Sequence, residues 1–174
     1  MALMVLSVVG SDRPGLTRSL AAAVLSAGGN WLESHLSRLG GLYVGSVLVE
    51  LEQGAIDALR LSVSAVDGHG LEVRLAPAVE GSGAAGPDGE AFQFALVGQD
   101  RPGIVNQVTA VLSGLHANIE TFRTWVDAGS QSGIPLFHTE ARLRLPPDLP
   151  AARVQAALED ISAEIMIDIS VGPA

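Results

Sequence analysis

The chain of 174 residues contains no cysteine. That excludes disulfide staples, thiolate nucleophiles and cysteine metal sites, and it suits a reducing cytoplasm. Basic side chains are scarce as well, 10 against 19 acidic ones, for a net charge of −9. Nucleic-acid affinity comes largely from cations that neutralise phosphates. The densest basic spot is the pair Arg142 and Arg144, so direct contact with DNA or RNA is not expected. Long hydrophobic runs are also missing. The opening apolar run, Met1 to Val9, is far shorter than the ~20 residues of a membrane helix, and it lacks the basic start and small-residue cleavage site of a leader. The expectation is a soluble, cytoplasmic protein without membrane contact.

Chemical constellations are missing in turn. There is no G-x-x-x-x-G-K phosphate loop, and no serine is marked by a histidine and an acid as an activated nucleophile. Of His35, His69, His116 and His138, only His138 shares a strand face with a second candidate ligand, Glu140, and two ligands do not hold a metal. No metal, no cofactor and no catalytic residue is therefore expected.

What is present is a repeat. "VGSDRPGLTRSL", residues 9 to 20, returns as "VGQDRPGIVNQV", residues 97 to 108. Residues 6–31 align on 94–119 without a gap, with 8 identities in 26 pairs, five of them within six positions. Such crowding indicates duplication. Between the copies lies "EGSGAAGPDGE", residues 80 to 90, whose composition reads as a flexible linker. The expected division is 1–79, linker 80–90, and 91–174.

Both copies share one pattern. An apolar run is followed by a helical stripe: Leu16, Leu20, Ala23, Val24 and Ala27, then Ile104, Val108, Val111, Leu112 and Leu115. Two strands come next, joined by Gly40-Gly41 in copy 1, which suits a tight hairpin, and by the longer "DAGSQSG" in copy 2. A second stripe (Ile56, Leu59, Val63, Val66; Val154, Leu158, Ile161) and a last strand close each copy. The order β-α-β-β-α-β predicts an α+β protein of two ferredoxin-like domains, each a four-stranded antiparallel sheet with both helices on one face.

In the D-R-P-G loops, Pro14 suits the first helical position and Gly10 suits a sharp turn off the strand. Gly15 has no side chain, so a ligand can come close to free backbone N–H groups at the helix start. Those groups attract a carboxylate, and Asp12 attracts an ammonium. An acid at a helix entry also serves as a cap, and Pro-Gly also serves as a turn. Retention of all four residues in both copies favours binding.

The G-x-D-R-P-G loop, the helix after it, and the asparagine that opens the second strand resemble the ACT domain, a small amino-acid-sensing module. Two copies with almost nothing else resemble the glycine cleavage system transcriptional repressor family. The resemblance covers nearly the whole chain. It implies that a small amino acid, glycine or serine, binds at Gly10, Ser11, Asp12, Arg13, Pro14, Gly15 and Leu16, and at Gly98, Gln99, Asp100, Arg101, Pro102, Gly103 and Ile104, with Asn30 and Asn118. It also implies a non-enzymatic regulator that acts as a dimer and through a regulatory protein partner. Ser11 against Gln99 makes the two pockets chemically unlike. Two other readings stay open: a dimerisation module without ligand, and an acylphosphatase-like hydrolase using Arg13 or Arg101, whose family's anion loop is absent.

The third strands, "LYVGSVLVEL" (42–51) and "LFHTEARLRL" (136–145), agree on one alternate set and differ on the other. The set Tyr43, Gly45, Val47, Val49 and Leu51, against Phe137, Thr139, Ala141, Leu143 and Leu145, is expected to face the helices. On the opposite face Leu3, Val5, Val44 and Leu48 of copy 1 stand where copy 2 has Ala91, Gln93, His138 and Arg142. The four of copy 1 are expected at an interface, because monomers seldom leave large apolar patches in water.

Overall fold

Alternating apolar residues make Ala2–Ser11 (β1) a half-buried strand, with Ala2, Met4, Leu6 and Val8 inward. It leads to α1 (Leu16–Ser26), β2 (Asn30–Leu39), β3 (Leu42–Leu51), a 3₁₀ turn (Gln53–Ala55), α2 (Ile56–Asp67) and β4 (Leu71–Pro77). The second series is β5 (Ala91–Gln99), α3 (Ile104–Gly114), β6 (Asn118–Ala128), β7 (Pro135–Arg144), α4 (Ala151–Glu159) and β8 (Met166–Ser170). The computed structural model describes residues 1–67, 70–79, 89–128, 135–161 and 166–170. Residues 80–88 of the expected linker, 129–133 of the longer connection, and His69 lie outside the described residues. By backbone contacts the chain divides into unit 1, Met1–Ser82, and unit 2, Gly83–Ala174.

The fold is α+β, with two antiparallel sheets and four helices. The sheet orders are β2-β3-β1-β4 and β6-β7-β5-β8, so β-α-β-β-α-β connectivity holds in each unit. The registers are superimposable: Val5 faces Leu48 and Leu6 faces Val47, as Gln93 faces Arg142 and Phe94 faces Ala141. Each second strand carries a bulge, between Trp31 and Glu33 and between Ile119 and Thr121.

One buried cluster fills each unit. In unit 1 it joins Met4, Leu6, Val47, Val49 and Leu51 of the sheet to Leu16, Leu20, Val24, Leu59 and Val63 of the helices. In unit 2 it joins Phe94, Leu96, Phe137, Ala141 and Leu143 to Ile104, Val108, Leu112, Val154 and Leu158. Each large side chain so buried stabilises by about 1.5–3 kcal/mol, which holds the helices on the sheet. Trp31 is partly buried against the first cluster. The β2–β3 hairpin turns on Gly40 (φ 59°) and Gly41 (φ 84°), both in the left-handed region that a tight two-residue turn requires.

Candidate functional site

The D-R-P-G loops sit where β1 meets α1 and β5 meets α3. Two local expectations are corrected here. Gly10 does not turn the chain off the strand; it lies inside β1, paired with Tyr43 on one side and Leu71 on the other. A Cβ at Gly10 would stand 2.3 Å from the Gly70 carbonyl oxygen and 2.8 Å from the Leu71 Cα. The glycine is needed for close approach of two backbones. Pro14 does not occupy the first helical position either. The helix begins at Leu16, and Gly15 is its N-cap with φ 92°, a left-handed conformation that only glycine adopts freely.

The same cap recurs at Gly103, φ 87°, before α3. Neither cap receives a side-chain hydrogen bond, so Asp12 and Asp100 are not capping residues. The first helical bonds are donated by Ser19 N to Gly15 O (2.9 Å) and by Gln107 N to Gly103 O (3.0 Å). Among the described residues nothing accepts from the N–H groups of Thr17 and Arg18, or from those of Val105 and Asn106. Leu16 and Ile104 are buried and anchor the helix starts, while Ser11 to Gly15 and Gln99, Asp100, Pro102 and Gly103 are exposed. Each loop thus presents free backbone donors, one acid and one guanidinium to solvent.

The side chains around that shared backbone differ. In loop 1, Asp12 Oδ2 pairs with Arg38 Nε of β2 at 3.2 Å, and the Arg13 guanidinium lies over Gly70, Nη2 3.0 Å from where a Cβ would stand. In loop 2 the position of Arg38 is taken by Val126, and Asp100 has no side-chain partner among the described residues. Arg101 instead turns onto the first turn of α3, donating from Nη2 to Gln107 Oε1 at 2.7 Å. A hydroxyl pair, Thr17 Oγ1 and Tyr43 OH at 2.6 Å, flanks loop 1. Its counterparts are Val105 and Phe137, which cannot form it.

Asn30 and Asn118 are not brought to the loops of their own units. Asn30 opens β2 opposite Glu50, level with Leu3, whereas Gly10 is opposite Tyr43. Seven strand residues separate the two levels, about 23 Å. Asn118 likewise lies opposite Arg144. Leu3, Val5, Val44 and Leu48 are half-buried and stand outside the unit 1 core cluster.

Other polar groupings were invisible to one-dimensional reading. His138 meets Asp127, Nε2 to Oδ2 3.1 Å, not Glu140, and its ring stacks on Trp125 with centroids 5.0 Å apart. Arg123 lies over that Trp125 ring at 5.1 Å and pairs with Glu140 at 3.5 Å. Glu120, the bulged residue of β6, takes a hydrogen bond from Arg144 Nε at 2.6 Å and an ion pair with Arg142 Nε at 2.8 Å. The Arg144 bond above all, and the charges of both arginines, hold its carboxyl below the usual range against a partial desolvation that raises it. A strand-pairing register laid onto the sequence would have found these groups, since each joins neighbouring positions of β6 and β7.

An ACT-domain family model matches residues 2–75, which lie within unit 1. Over both units the chain resembles the glycine cleavage system transcriptional repressor of Escherichia coli (strain K12), with 24% identity over 164 residues, 93% of this chain and 85% of that protein. Among solved structures it is similar to an unknown protein from Galdieria sulphuraria, with 27% identity, TM-score 0.84 and 99% of each chain covered. It shares its fold with a candidate glycine cleavage system transcriptional repressor at 14% identity, TM-score 0.71 and 98% of each chain. No helix among the described residues is long and apolar enough to cross a membrane.

Proposed function

We propose that the protein is a non-enzymatic, cytoplasmic regulator that binds a small free amino acid, glycine or serine, at its D-R-P-G loops and signals through protein–protein contact. It works as a dimer and through a regulatory partner, in the control of amino-acid metabolism. Its domains are 1–79 and 91–174, joined by 80–90. The observation that carries the reading is the doubled loop: a glycine cap that leaves helix N–H groups open, beside an acid. The donors suit an α-carboxylate and the acid suits an α-ammonium. The family match over residues 2–75 and the likeness to the repressor support the class of protein. The acidic balance, −9, suits regulation by protein contact better than a grip on DNA.

Titration of the intact protein with each amino acid, followed by calorimetry, tests the ligand. A ligand of so few atoms is expected to bind at about micromolar to millimolar level. No heat and no thermal stabilisation with any of them at millimolar level would refute the sensor. One observation favours a second reading for unit 1: its loop acid is already paired with Arg38. If unit 1 is a module without ligand, Asp100→Asn abolishes the response and Asp12→Asn leaves it unchanged.

A further inference from the structure

The basic pair Arg142 and Arg144 stands at the end of β7 away from loop 2, opposite Gln93 and Ala91 of β5. Ala91 is the first residue of β5, so this is where the chain enters unit 2. One step before it, Leu145 N–H still donates to the Glu90 carbonyl at 3.2 Å. There β7 runs out of backbone donors, because Pro146 and Pro147 have no N–H. The Gly89 carbonyl takes its donor from a side chain instead, Arg144 Nη1 at 3.0 Å. Gly89 also lies so close to β7 that a Cβ would overlap the Leu145 carbonyl oxygen.

Arg144 is in turn held from the neighbouring strand. Its Nε donates to Glu120 Oε1 at 2.6 Å, and the other oxygen of Glu120 pairs with Arg142 Nε at 2.8 Å. The contact is partly shielded, with 24% of the Glu120 side chain and 36% of that of Arg144 exposed, so it is stronger than a surface ion pair. The line runs from the bulge of β6 through one guanidinium to the backbone that enters β5. Unit 1 cannot build it: Leu32 and Glu50 occupy the same register positions, an apolar residue and an acid.

We propose that Glu120 and Arg144 form a strap that couples the outer face of unit 2 to the chain entering it. While Glu120 holds Arg144, Gly89 and Glu90 stay fastened to β7. A change that takes the carboxylate from Arg144 loosens them and leaves β5 and β7 paired. The planar guanidinium suits this task, because its donors form a rigid fork: a carboxylate on Nε keeps Nη1 aimed at the carbonyl. The position suits it as well. At the edge of a paired region the loss of one donor frees a short segment, not the whole unit. Amino-acid binding plays no part in the coupling.

Native-state hydrogen exchange of the intact chain, followed amide by amide by NMR, reads the strap through the Leu145 N–H. In wild type Leu145 is expected to exchange by a local opening that urea below the unfolding transition barely alters. Leu143, in the core of β7, should show the urea dependence of whole-unit unfolding. Glu120→Gln should speed Leu145 exchange by about fivefold or more, and Arg144→Leu at least as much. The two together should do no more than Arg144→Leu alone, since they break one line. Gly89→Ala should also release the segment, without touching a charge. Arg123→Leu removes another guanidinium of β6 and should leave Leu145 within about twofold of wild type. Leu145 exchange with the urea dependence of Leu143, no acceleration in Glu120→Gln, or equal acceleration in Arg123→Leu would each overturn the proposal. If Arg144→Leu does not fold, Glu120→Gln and Gly89→Ala decide alone.

Discussion

Unit 1 and unit 2 share a backbone and disagree about the side of the sheet that the helices leave open. Both second strands bulge at the same register, yet the bulged residue is Leu32, 46% exposed, in one and Glu120 in the other. Leu48 and Val5 of unit 1 are matched in register by Arg142 and Gln93. The inward rows hardly differ: Leu6, Val47 and Val49 correspond to Phe94, Ala141 and Leu143. The fold is held by the inward rows and by backbone pairing, so the outward rows are free to take opposite chemistries. Duplication therefore yields two copies of a scaffold and two different surfaces.

The comparison is most sharply broken at Gly45, the register counterpart of Thr139. Gly45 has φ 151°, and a Cβ there would lie only 1.9 Å from the His35 carbonyl oxygen. Thr139 carries its side chain buried in unit 2. Gly45→Thr is expected to cost unit 1 about 3 kcal/mol or more, seen by scanning calorimetry as a melting temperature lower by about 10 °C or more. A melt within about 2 °C of wild type would mean that the strand relaxes and the two backbones are interchangeable there.

Next in size is Glu120→Leu, which gives the unit 2 bulge the residue of unit 1. It leaves Arg142 and Arg144 without their carboxylate and should cost about 1 kcal/mol at neutral pH. Because the folded-state pKa of Glu120 lies below its unfolded value, its stabilisation is present above the unfolded pKa and is lost as pH falls through the folded one. Wild type and variant should therefore converge in acid, which melting curves from pH 7 down to about pH 2 would reveal. Adding Arg142→Leu, the counterpart of Leu48, should recover part of the loss in a double-mutant cycle.

At the loop glycines the units agree, and the prediction sharpens that likeness. No atom stands within 4 Å of a Cβ at Gly15, so the only obstacle is the left-handed backbone. Gly15→Val should cost about 1–2 kcal/mol and Gly15→Asn about half as much, since Asn tolerates that conformation. Equal costs in thermal unfolding would show that φ is not what selects glycine. The smallest effect is expected from Arg38→Val, which gives loop 1 the Val126 environment of loop 2. The pair it removes is exposed, so the loss should be below about 0.5 kcal/mol and disappear at high salt.

Much of this architecture is legible in one dimension. The repeat, the order of elements, the Gly40-Gly41 hairpin and the inward rows of β3 and β7 follow from period and turn chemistry. These properties depend on neighbours a few residues apart, which the sequence lists directly. The roles of Gly10 and Pro14 are not legible in one dimension, because one is set by a distant backbone and the other by the conformation of the neighbouring glycine. Gly10 is shaped by Gly70 and Leu71, and Pro14 stands outside a helix that a glycine cap starts at Leu16. The pairing of Asp12 with Arg38, of His138 with Asp127, and of Glu120 with two arginines joins residues far apart in the chain. Only the strand register, fixed jointly by the core and the bulges, decides which of many acids and bases become neighbours. The sequence by itself determined which side of each strand points inward, because that side must leave water; the tertiary structure alone decided which outward side chains meet, because strand pairing sets their distances.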